Sequence, residues 1–322
     1  MEIFSKNHSS YPRVGDTPDQ QRLRRAYNQL DKKKITSEEV AQILDETVTE
    51  IIEEQKASGC DFVTDGQIRT YDPLSSLAAK IKGFEITGLL RFFDTNFLYR
   101  QPKVVSNLKY DESLVADDFS FTHKLAGDKA SAVMIGPYSL LKMSLTDGRF
   151  IQEFESIAEI YARELGELKS HGATLVQLDE PSIIFNATDF GLFQSLYKGL
   201  KESGDIPELL LALYFGNATP FAGELAKVAA DGILFDFTYS PGLKDALSGF
   251  DKNIGLGILN GRNTKMEKPD QLIAEAEAIL SKVNSPKAYL TTSCGLEFLP
   301  RGRAFDKLKL CADITRKLRG GK

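Results

Sequence analysis

The chain has 322 residues, 42% hydrophobic and 26% charged, so it can bury a large core as one big α/β domain or two ordinary ones. A net charge of −5 gives no global basic field, and no apolar run reaches the ~20 residues that span a bilayer. We therefore expect a small-molecule substrate, no nucleic-acid partner and no membrane partner. The first six residues lack the order of a signal peptide, and the three cysteines lie far apart, which predicts a cytoplasmic protein with free thiols.

Apolar runs of strand length alternate with longer segments of helical period along the chain. The eight predicted strands are 4–10, 60–65, 132–136, 174–179, 209–215, 233–236, 254–259 and 288–292. Thr36 and Glu39 form a capping-box pattern before a helix that Gly59 closes. A second helix, from Ile151 to Leu168, ends just before the strand at 174. Repeated alternation of helix and strand predicts a parallel sheet.

Eight strands with helices between them predict an α/β fold of the (β/α)8 TIM-barrel type, as one catalytic domain over residues 1–322. The competing fold is a doubly wound open sheet. It has little support, because Gly255 and Gly257 lie inside a strand rather than opening a helix as a phosphate-binding loop does. The segment 82–130 between the second and third strands is too long for a plain crossover. We interpret it as an insertion, with a hairpin around residues 103–109, over the barrel mouth.

The segment from Leu175 to Pro181 is the most informative, because a buried strand ends there in two adjacent carboxylates, Asp179 and Glu180. Catalytic residues of such barrels lie at the carboxyl ends of the strands. Polar residues follow the other predicted strands too, so residues distant in sequence are expected to meet in one pocket. These are Ser9 and Ser10, Asp65 with Gln67 and Arg69, Tyr214 with Asn217, Asp236, Asn260 with Arg262, and Cys294. Taken singly, each also has an ordinary turn, loop or packing explanation.

Seven motifs in order resemble the catalytic barrel of cobalamin-independent methionine synthase, in the barrel superfamily that also contains uroporphyrinogen decarboxylase. They are Ser-Ser-Tyr-Pro-Arg13, Thr-Asp-Gly-Gln-Ile-Arg69, Arg-Phe-Phe-Asp-Thr-Asn96 through Arg-Gln-Pro102, Ile-Gly-Pro-Tyr138, Gln-Leu-Asp-Glu-Pro181, Gly-Leu-Gly-Ile258 and Ser-Cys-Gly-Leu296. The resemblance spans nearly the whole chain and is to the short, single-barrel members. It implies a methyltransferase that moves a methyl group from a folate or corrinoid donor to a thiol, typically homocysteine. A methyl-donor protein is left open as a partner.

The resemblance also implies zinc, which turns a bound thiol into a thiolate. Cys294 matches one ligand of the family, and Asp236 stands in a glutamate position. Ala212 and Tyr214 fall where the family has histidine and cysteine, and neither supplies an ordinary zinc ligand there. Zinc binding is therefore doubtful. His8 is a candidate replacement ligand, although a loop or partly buried histidine is the simpler interpretation of it.

The substrate-binding positions are kept better than the metal positions. The resemblance implies that Ser10, Gln67 and Asp179 hold the amino-acid end of homocysteine, with Glu180 beside them. Gln67 replaces an acidic residue of the family, so its amide still accepts a hydrogen bond but carries no charge. Successive residues on a strand point opposite ways, which favours Asp179 over Glu180 for ligand contact.

Three functions remain open. The first is an S-methyltransferase of the methionine synthase family. The second is a related barrel enzyme in which Tyr214, Asp236 and Cys294 replace the zinc in acid–base or thiolate catalysis on another small substrate. The third is a paralogue that binds a ligand or partner without turnover. For the first two, the predicted catalytic residues are Asp179, Tyr214 and Cys294.

Overall fold

A computed structural model describes residues 1–320. Seven parallel strands form one sheet in the order β1, β9, β8, β7, β6, β5, β4. Their bounds are Glu2–Ser5 (β1), Ala132–Ile135 (β4), Leu175–Asp179 (β5), Glu208–Leu213 (β6), Gly232–Asp236 (β7), Asn253–Leu259 (β8) and Lys287–Thr292 (β9). Two further strands, Ile81–Arg91 (β2) and Leu98–Tyr110 (β3), pair antiparallel in a separate hairpin.

Helices follow the strands and cover the outside of the sheet. The longer ones are Arg22–Asp31 (α1), Ser37–Ala57 (α2), Ala116–Ala126 (α4), Gln152–Ser170 (α6), Phe190–Glu202 (α7), Pro269–Leu280 (α10) and Arg301–Leu318 (α11). The shorter ones are Ser75–Ala78 (α3), Pro137–Lys142 (α5), Ala222–Ala226 (α8) and Leu243–Ala246 (α9). No helix among residues 1–320 combines the length and apolar character that crossing a membrane requires.

The two edges of the sheet, β1 and β4, are joined by the short segment at Phe62 and Val63. Phe62 N donates to Ser5 O at 3.0 Å on the β1 side, and Val63 N donates to Lys129 O at 2.9 Å just before β4. Isolated parallel bridges at this segment lie between the two edges of the seven-stranded sheet, and the predicted α/β barrel fold is confirmed. Hydrogen bonds of this kind cover strand edges that would otherwise be unpaired.

The second predicted strand, 60–65, is much shorter than expected, because a side chain takes over its hydrogen bonding. Gln55 of α2 accepts from Thr64 N at 2.9 Å and donates to Thr64 O at 2.8 Å. The Thr64 hydroxyl then donates to Ser9 O at 2.6 Å. These bonds satisfy the backbone where a ladder would otherwise continue. The backbone can therefore leave the strand after Thr64 and form the turn that leads to Gln67.

The capping box that begins α2 is present as predicted. Glu39 N donates to the Thr36 hydroxyl at 3.2 Å, and Thr36 N donates to the Glu39 carboxylate at 2.7 Å. The apolar stripe of this helix buries Val48, Ile51 and Ile52 completely. Burying that stripe against the barrel fixes the helix, and with it the position of Gln55.

The insertion between the second and third barrel strands contains the β2–β3 hairpin followed by α4. Gly83 in β2 has a φ of +101°, and a Cβ there would lie 2.7 Å from Asn107 O, so the irregular register at this point requires glycine. The loop 92–97 at the hairpin tip lies against the barrel mouth, where Arg262 Nη2 donates to Asp94 O at 2.6 Å. The division into one barrel domain with an insertion at 82–130 stays a prediction.

Candidate active site at the barrel mouth

A cavity of about 860 Å³ opens at the carboxyl ends of the barrel strands. Its polar wall includes side chains that follow different strands, so the fold brings together residues far apart in sequence. Those that matter below are Ser10, Gln67, Asp179, Tyr214 and Glu297. The loop at the hairpin tip supplies an apolar wall through Phe92 and Phe97. A concave site with a few convergent polar groups is the usual form of a small-molecule site.

Asp179 is the central carboxylate of this cavity. It is only 4% exposed, and its two oxygens accept from Gln177 Nε2 at 2.7 Å and from the Tyr214 hydroxyl at 3.1 Å. Burial raises the pKa of Asp179 to about 7, although both hydrogen bonds favour the ionised form. Asp179 can therefore exist in either protonation state near neutral pH.

A buried lysine lies behind Asp179 and is connected to it through Gln177. Lys6 Nζ donates to Gln177 Oε1 at 2.7 Å, and also to the carbonyl oxygens of Asn7 and His8. Burial lowers the pKa of Lys6 to about 7, against the opposing charge of Asp179. The bond from Lys6 fixes the orientation of the Gln177 amide, so that its NH2 group points at Asp179. No sequence motif indicated this support.

Glu180 points away from the cavity and holds helix α5 in place. It accepts from the backbone N–H groups of Tyr138 and Ser139 at 3.0 and 2.7 Å, and from the Tyr197 hydroxyl at 2.6 Å. The prediction that Glu180 binds substrate does not fit this position. The reason is the strand geometry, because neighbouring residues face opposite sides and Asp179 already faces the cavity.

Ser10 and Gln67 both line the cavity, as the sequence predicted. The Ser10 hydroxyl donates to Glu297, a carboxylate that sequence reasoning missed. Burial raises the pKa of Glu297, while Arg13 nearby opposes that shift. Gln67 has a φ of +53°, and its backbone N–H donates to Asp65 at 2.9 Å, so the turn after the second strand directs it to the cavity.

Cys294 and Asp236 are buried beside the site but do not line the cavity. The Cys294 thiol donates to Gly295 O at 3.4 Å, and burial together with Glu297 and Asp236 raises its pKa well above the usual range. Asp236 accepts from Thr238 N and its hydroxyl at 2.9 and 2.6 Å. Burial raises the pKa of Asp236 to about 6. Both groups are thus satisfied by the protein itself.

The side chains present do not fit a protein-bound zinc ion. Within residues 1–320, no three histidine, cysteine, aspartate or glutamate side chains lie close enough to hold one metal ion. His8 does not complete a set with Cys294 and Asp236. It is fully buried, with Nδ1 at 2.9 Å from the Ser9 hydroxyl and its ring edge-on to Tyr214. Burial also lowers the pKa of His8 well below its usual value, so its ring is neutral.

The two substituted positions explain this misfit. Ala212 carries no donor atom, and Tyr214 fills its position with a ring whose hydroxyl is bonded to Asp179. Burial and the charge of Asp179 raise the pKa of Tyr214 well above its usual value, so the hydroxyl keeps its proton. A protonated phenol that donates to a carboxylate is not available as a metal ligand. All three cysteines in the chain are free thiols, as predicted, and the structure buries all three.

The missed residues differ in whether the sequence offered a signal for them. Glu297 follows the Ser-Cys-Gly-Leu296 motif directly, so its place after the last strand was visible. Lys6 and Gln177 both lie on predicted strands, where a polar residue inside an apolar run is the available signal. If Lys6 and Gln177 are assigned to the interior of the barrel, the sequence predicts a polar barrel core.

Fold and cavity together define an α/β-barrel enzyme with a small-molecule site at its mouth. A family profile described as "Cobalamin-independent synthase, N-terminal domain" matches residues 77–284, well over half of the chain. The chain therefore belongs to the cobalamin-independent methionine synthase family, and it is a methyltransferase. The profile describes the N-terminal domain, whereas the motifs quoted above resemble the catalytic barrel.

Individual proteins that are similar in sequence or structure support this assignment. Methionine synthase of Saccharolobus solfataricus is 26% identical over 314 residues, covering 95% of this chain and 93% of that protein. Methionine synthase of Sulfurisphaera tokodaii is 25% identical, covering 92% of this chain and 88% of that protein. A B12-independent methionine synthase from a Shewanella species, solved in complex with selenomethionine, superposes with a TM-score of 0.81 at 17% identity, over 99% of this chain and 98% of that one. At that identity, the superposition supports the fold alone.

Proposed function

We propose that this protein transfers a methyl group from a folate or methyl-corrinoid donor to the sulfur of homocysteine or a related thiol. The observation that carries the proposal is the cavity at the barrel mouth, in which Ser10, Gln67 and Asp179 converge within a chain of the methionine synthase family. The curated relatives are named methionine synthases, and the Shewanella protein was solved with an analogue of the product amino acid.

The transfer needs a thiolate, and Asp179 is the cavity group suited to take the thiol proton. A free thiol has a pKa of about 8.5, so it is mostly protonated at neutral pH. Asp179, with its pKa raised to about 7, is a stronger base than an exposed aspartate and lines the cavity. The sulfur then bonds to the methyl carbon, and the bond between methyl and donor breaks. Its electron pair stays with the donor, and the nitrogen of a folate donor takes up a proton.

Tyr214 and Lys6 support Asp179 in this role. The Tyr214 hydroxyl and the Gln177 amide occupy one carboxylate oxygen each, which fixes the carboxylate plane. Lys6 holds Gln177 from behind and, when it is protonated, places a positive charge close to Asp179. These contacts keep the carboxylate oriented while the proton moves.

Zinc bound by Cys294 and Asp236 is not part of this proposal, because their atoms already have protein partners. The donor remains a folate or a methyl-corrinoid, and a protein that delivers the corrinoid is a candidate partner. We keep a cytoplasmic location as a prediction.

The proposal is tested by supplying purified protein with a panel of thiols and each methyl donor separately. Homocysteine, cysteine and 2-mercaptoethanol differ in chain length and in the presence of an amino-acid end. We expect a higher rate of S-methylation for homocysteine than for the other two thiols. Chromatography of the thioether product measures each rate. Methylation of none of them by folded protein, with either donor, would contradict the proposal.

A second candidate, a barrel enzyme with altered chemistry on another small substrate, is favoured by one observation. Tyr214 fills the position where the family resemblance places a metal ligand, and it is bonded to Asp179. The same thiol panel separates the two candidates, because an enzyme of the second kind binds a small ligand in the cavity without methylating any thiol.

A further inference from the structure

Five aromatic side chains form one connected wall of the cavity. They are Phe92, Phe97, Tyr214, Phe215 and Phe298. Neighbouring rings of this wall meet edge to face, with ring centres 4.7 to 6.5 Å apart and ring planes inclined by 73° to 84°. Rings inclined in this way form a concave apolar corner, rather than the parallel faces between which a flat ligand stacks.

Phe215 is held in this wall by an uncommon backbone conformation. Its φ of +69° lies in the left-handed region, which a bulky side chain rarely adopts. Its backbone N–H donates to Asp236 Oδ2 at 3.4 Å, and a Cβ on the next residue, Gly216, would lie 2.7 Å from the Phe185 ring. Strained residues of this kind cluster at functional sites. The conformation therefore favours a role of the Phe215 ring in ligand binding.

The charged groups around the aromatic wall make the cavity acidic. Three carboxylates line it, Asp72, Asp179 and Glu297, against two guanidinium groups, Arg13 and Arg262. Both guanidinium groups donate to neutral oxygen atoms of the protein. None of the ion pairs found within residues 1–320 includes any of the five. When all five are ionised, the cavity carries a net negative charge.

Aromatic rings next to carboxylates are surroundings that recognise methylated cations. The face of an aromatic ring attracts a positive charge, and the methyl groups of a sulfonium or quaternary ammonium ion add apolar contact. One ring of the wall already contacts a cation, since the guanidinium carbon of Arg262 lies 5.2 Å from the Phe215 ring centre. The cavity therefore combines the two features that a methylated cation requires.

We propose that the cavity takes a methylated sulfonium compound as a methyl donor for the acceptor thiol. This inference rests on the proposed function, because it keeps the same acceptor and base and adds a third class of donor. Asp179 takes the thiol proton, and the thiolate sulfur forms a bond to a methyl carbon of the sulfonium. The bond between that carbon and the sulfonium sulfur breaks, and its electron pair returns to the sulfur. The donor becomes a neutral thioether, which the aromatic wall no longer attracts as a cation.

Binding is tested with two probes of the same shape, of which only one is charged. Choline and 3,3-dimethylbutan-1-ol differ by a nitrogen cation in place of a carbon atom, and calorimetry measures both. We expect choline to bind at least about tenfold more tightly. Phe298→Leu should weaken choline binding about 3- to 30-fold, because leucine is apolar but has no ring face. Binding of the neutral alcohol should change less than about threefold.

Two further variants separate loss of the ring face from a general effect on the protein. Phe298→Tyr keeps the ring and should bind choline as the wild type does. Phe221→Leu is the matched control, since Phe221 is also half-buried but packs on Phe190 outside the cavity lining. It should leave the binding of both probes unchanged. Circular dichroism checks the folding of each variant.

Transfer is tested with trimethylsulfonium that carries 13C methyl groups. The compound is incubated with homocysteine and wild-type protein, and mass spectrometry follows the label. We expect labelled methionine and dimethyl sulfide, at least about tenfold faster than in the same mixture without protein. Asp179→Asn should lower the protein-dependent rate by at least about 100-fold, because the base is lost.

The outcomes separate this inference from the proposed function. Tighter binding of choline than of the neutral alcohol, together with labelled methionine, supports the inference. Equal affinity for the two probes, or no transfer from trimethylsulfonium above the rate without protein, overturns it. Methylation of homocysteine by a folate or corrinoid donor would then still support the proposed function. Transfer from trimethylsulfonium alone supports the inference and contradicts the donors of the proposed function. Formation of no methionine from any donor overturns both.

Discussion

Asp179 is the residue on which the chemistry depends most. The sequence predicted it from its place at a strand end, and the structure adds the three supports that no motif indicated, Gln177, Tyr214 and Lys6. Glu180 shows what a sequence motif cannot predict for a single residue. Both carboxylates stand in one motif, but only the direction of each side chain decides which one reaches the cavity.

Asp179→Asn should lower the rate of methyl transfer by at least about 100-fold, because a positioned base contributes that much or more. Tyr214→Phe is the matched comparison, since it removes one hydrogen bond to Asp179 but leaves the carboxylate. It should cost less than Asp179→Asn and shift the pH profile, because the hydroxyl lowers the pKa of Asp179. Rates measured from pH 5.5 to 9 check both variants. A fully active Asp179→Asn protein would remove Asp179 from the mechanism.

Cys294→Ser should keep the transfer rate within about threefold of wild type, since the thiol does not line the cavity and donates to Gly295 O. Zinc content and turnover are measured on the same preparation of variant and wild type. Stoichiometric zinc in the wild type, lost together with activity in Cys294→Ser, would restore the metal-dependent mechanism that the family resemblance implies.

At the scale of elements, the periodicity of apolar residues predicted the positions of helices and strands well. It did not predict where side-chain hydrogen bonds shorten a strand. The capped helix α2 and the strands β4 to β9 lie close to their predicted positions, because apolar patterning and caps are properties of the local sequence. The second barrel strand is much shorter than predicted, because Gln55 from a different element satisfies Thr64. Contacts of that kind depend on the tertiary fold and leave no local signal.

The hairpin tip is attached to the barrel mouth by Arg262, which donates to Asp94 O and lies 5.2 Å from the Phe215 ring centre. Arg262→Ala should therefore loosen the loop 92–97, raise its rate of proteolysis and weaken methionine binding, with little loss of overall stability. Limited proteolysis with mass spectrometry locates the cuts.

Arg316→Ala, an exposed arginine on α11 paired with Asp313, is the matched control for this change. It should leave the cleavage pattern unchanged. Identical proteolysis of Arg262→Ala and wild type would show that the loop is held by its aromatic contacts rather than by Arg262.

At the scale of the whole molecule, burial raises the pKa of several carboxyls near the carboxyl ends of the barrel strands. The pKa of Asp179 and of Glu180 is raised to about 7, and that of Asp65 and of Asp236 to about 6. The barrel fold was predictable from eight strands in alternation with helices. Its polar interior had a weaker signal, single polar residues such as Lys6 and Gln177 inside apolar runs, because interior and exterior positions of a fully buried parallel strand look alike in sequence.

These carboxyls predict that stability falls as pH rises. Each binds its proton more tightly in the folded state, so between about pH 4 and pH 7 the folded protein holds more protons than the unfolded one, and the free energy of unfolding decreases. We expect unfolding in urea to show lower stability at pH 7 than at pH 5. Asp179→Asn should reduce that difference by about 2 kcal/mol, roughly half of what the full shift implies at 1.36 kcal/mol per pKa unit.

Lys6 acts in a different range, since its lowered pKa favours the folded state only as pH rises above about 7. It does not offset the trend between pH 5 and 7. A stability that rises over that interval, or an unchanged slope in Asp179→Asn, would contradict the assignment of these buried carboxyls.

The most direct test of the account follows a labelled methyl group. Homocysteine is incubated with the protein and either a folate or a methyl-corrinoid donor that carries a 13C methyl group, and mass spectrometry follows the label. The account predicts labelled methionine from the wild-type protein with one of the two donors, and at least about 100-fold less from Asp179→Asn. Folded wild-type protein that forms no labelled methionine with either donor would contradict it.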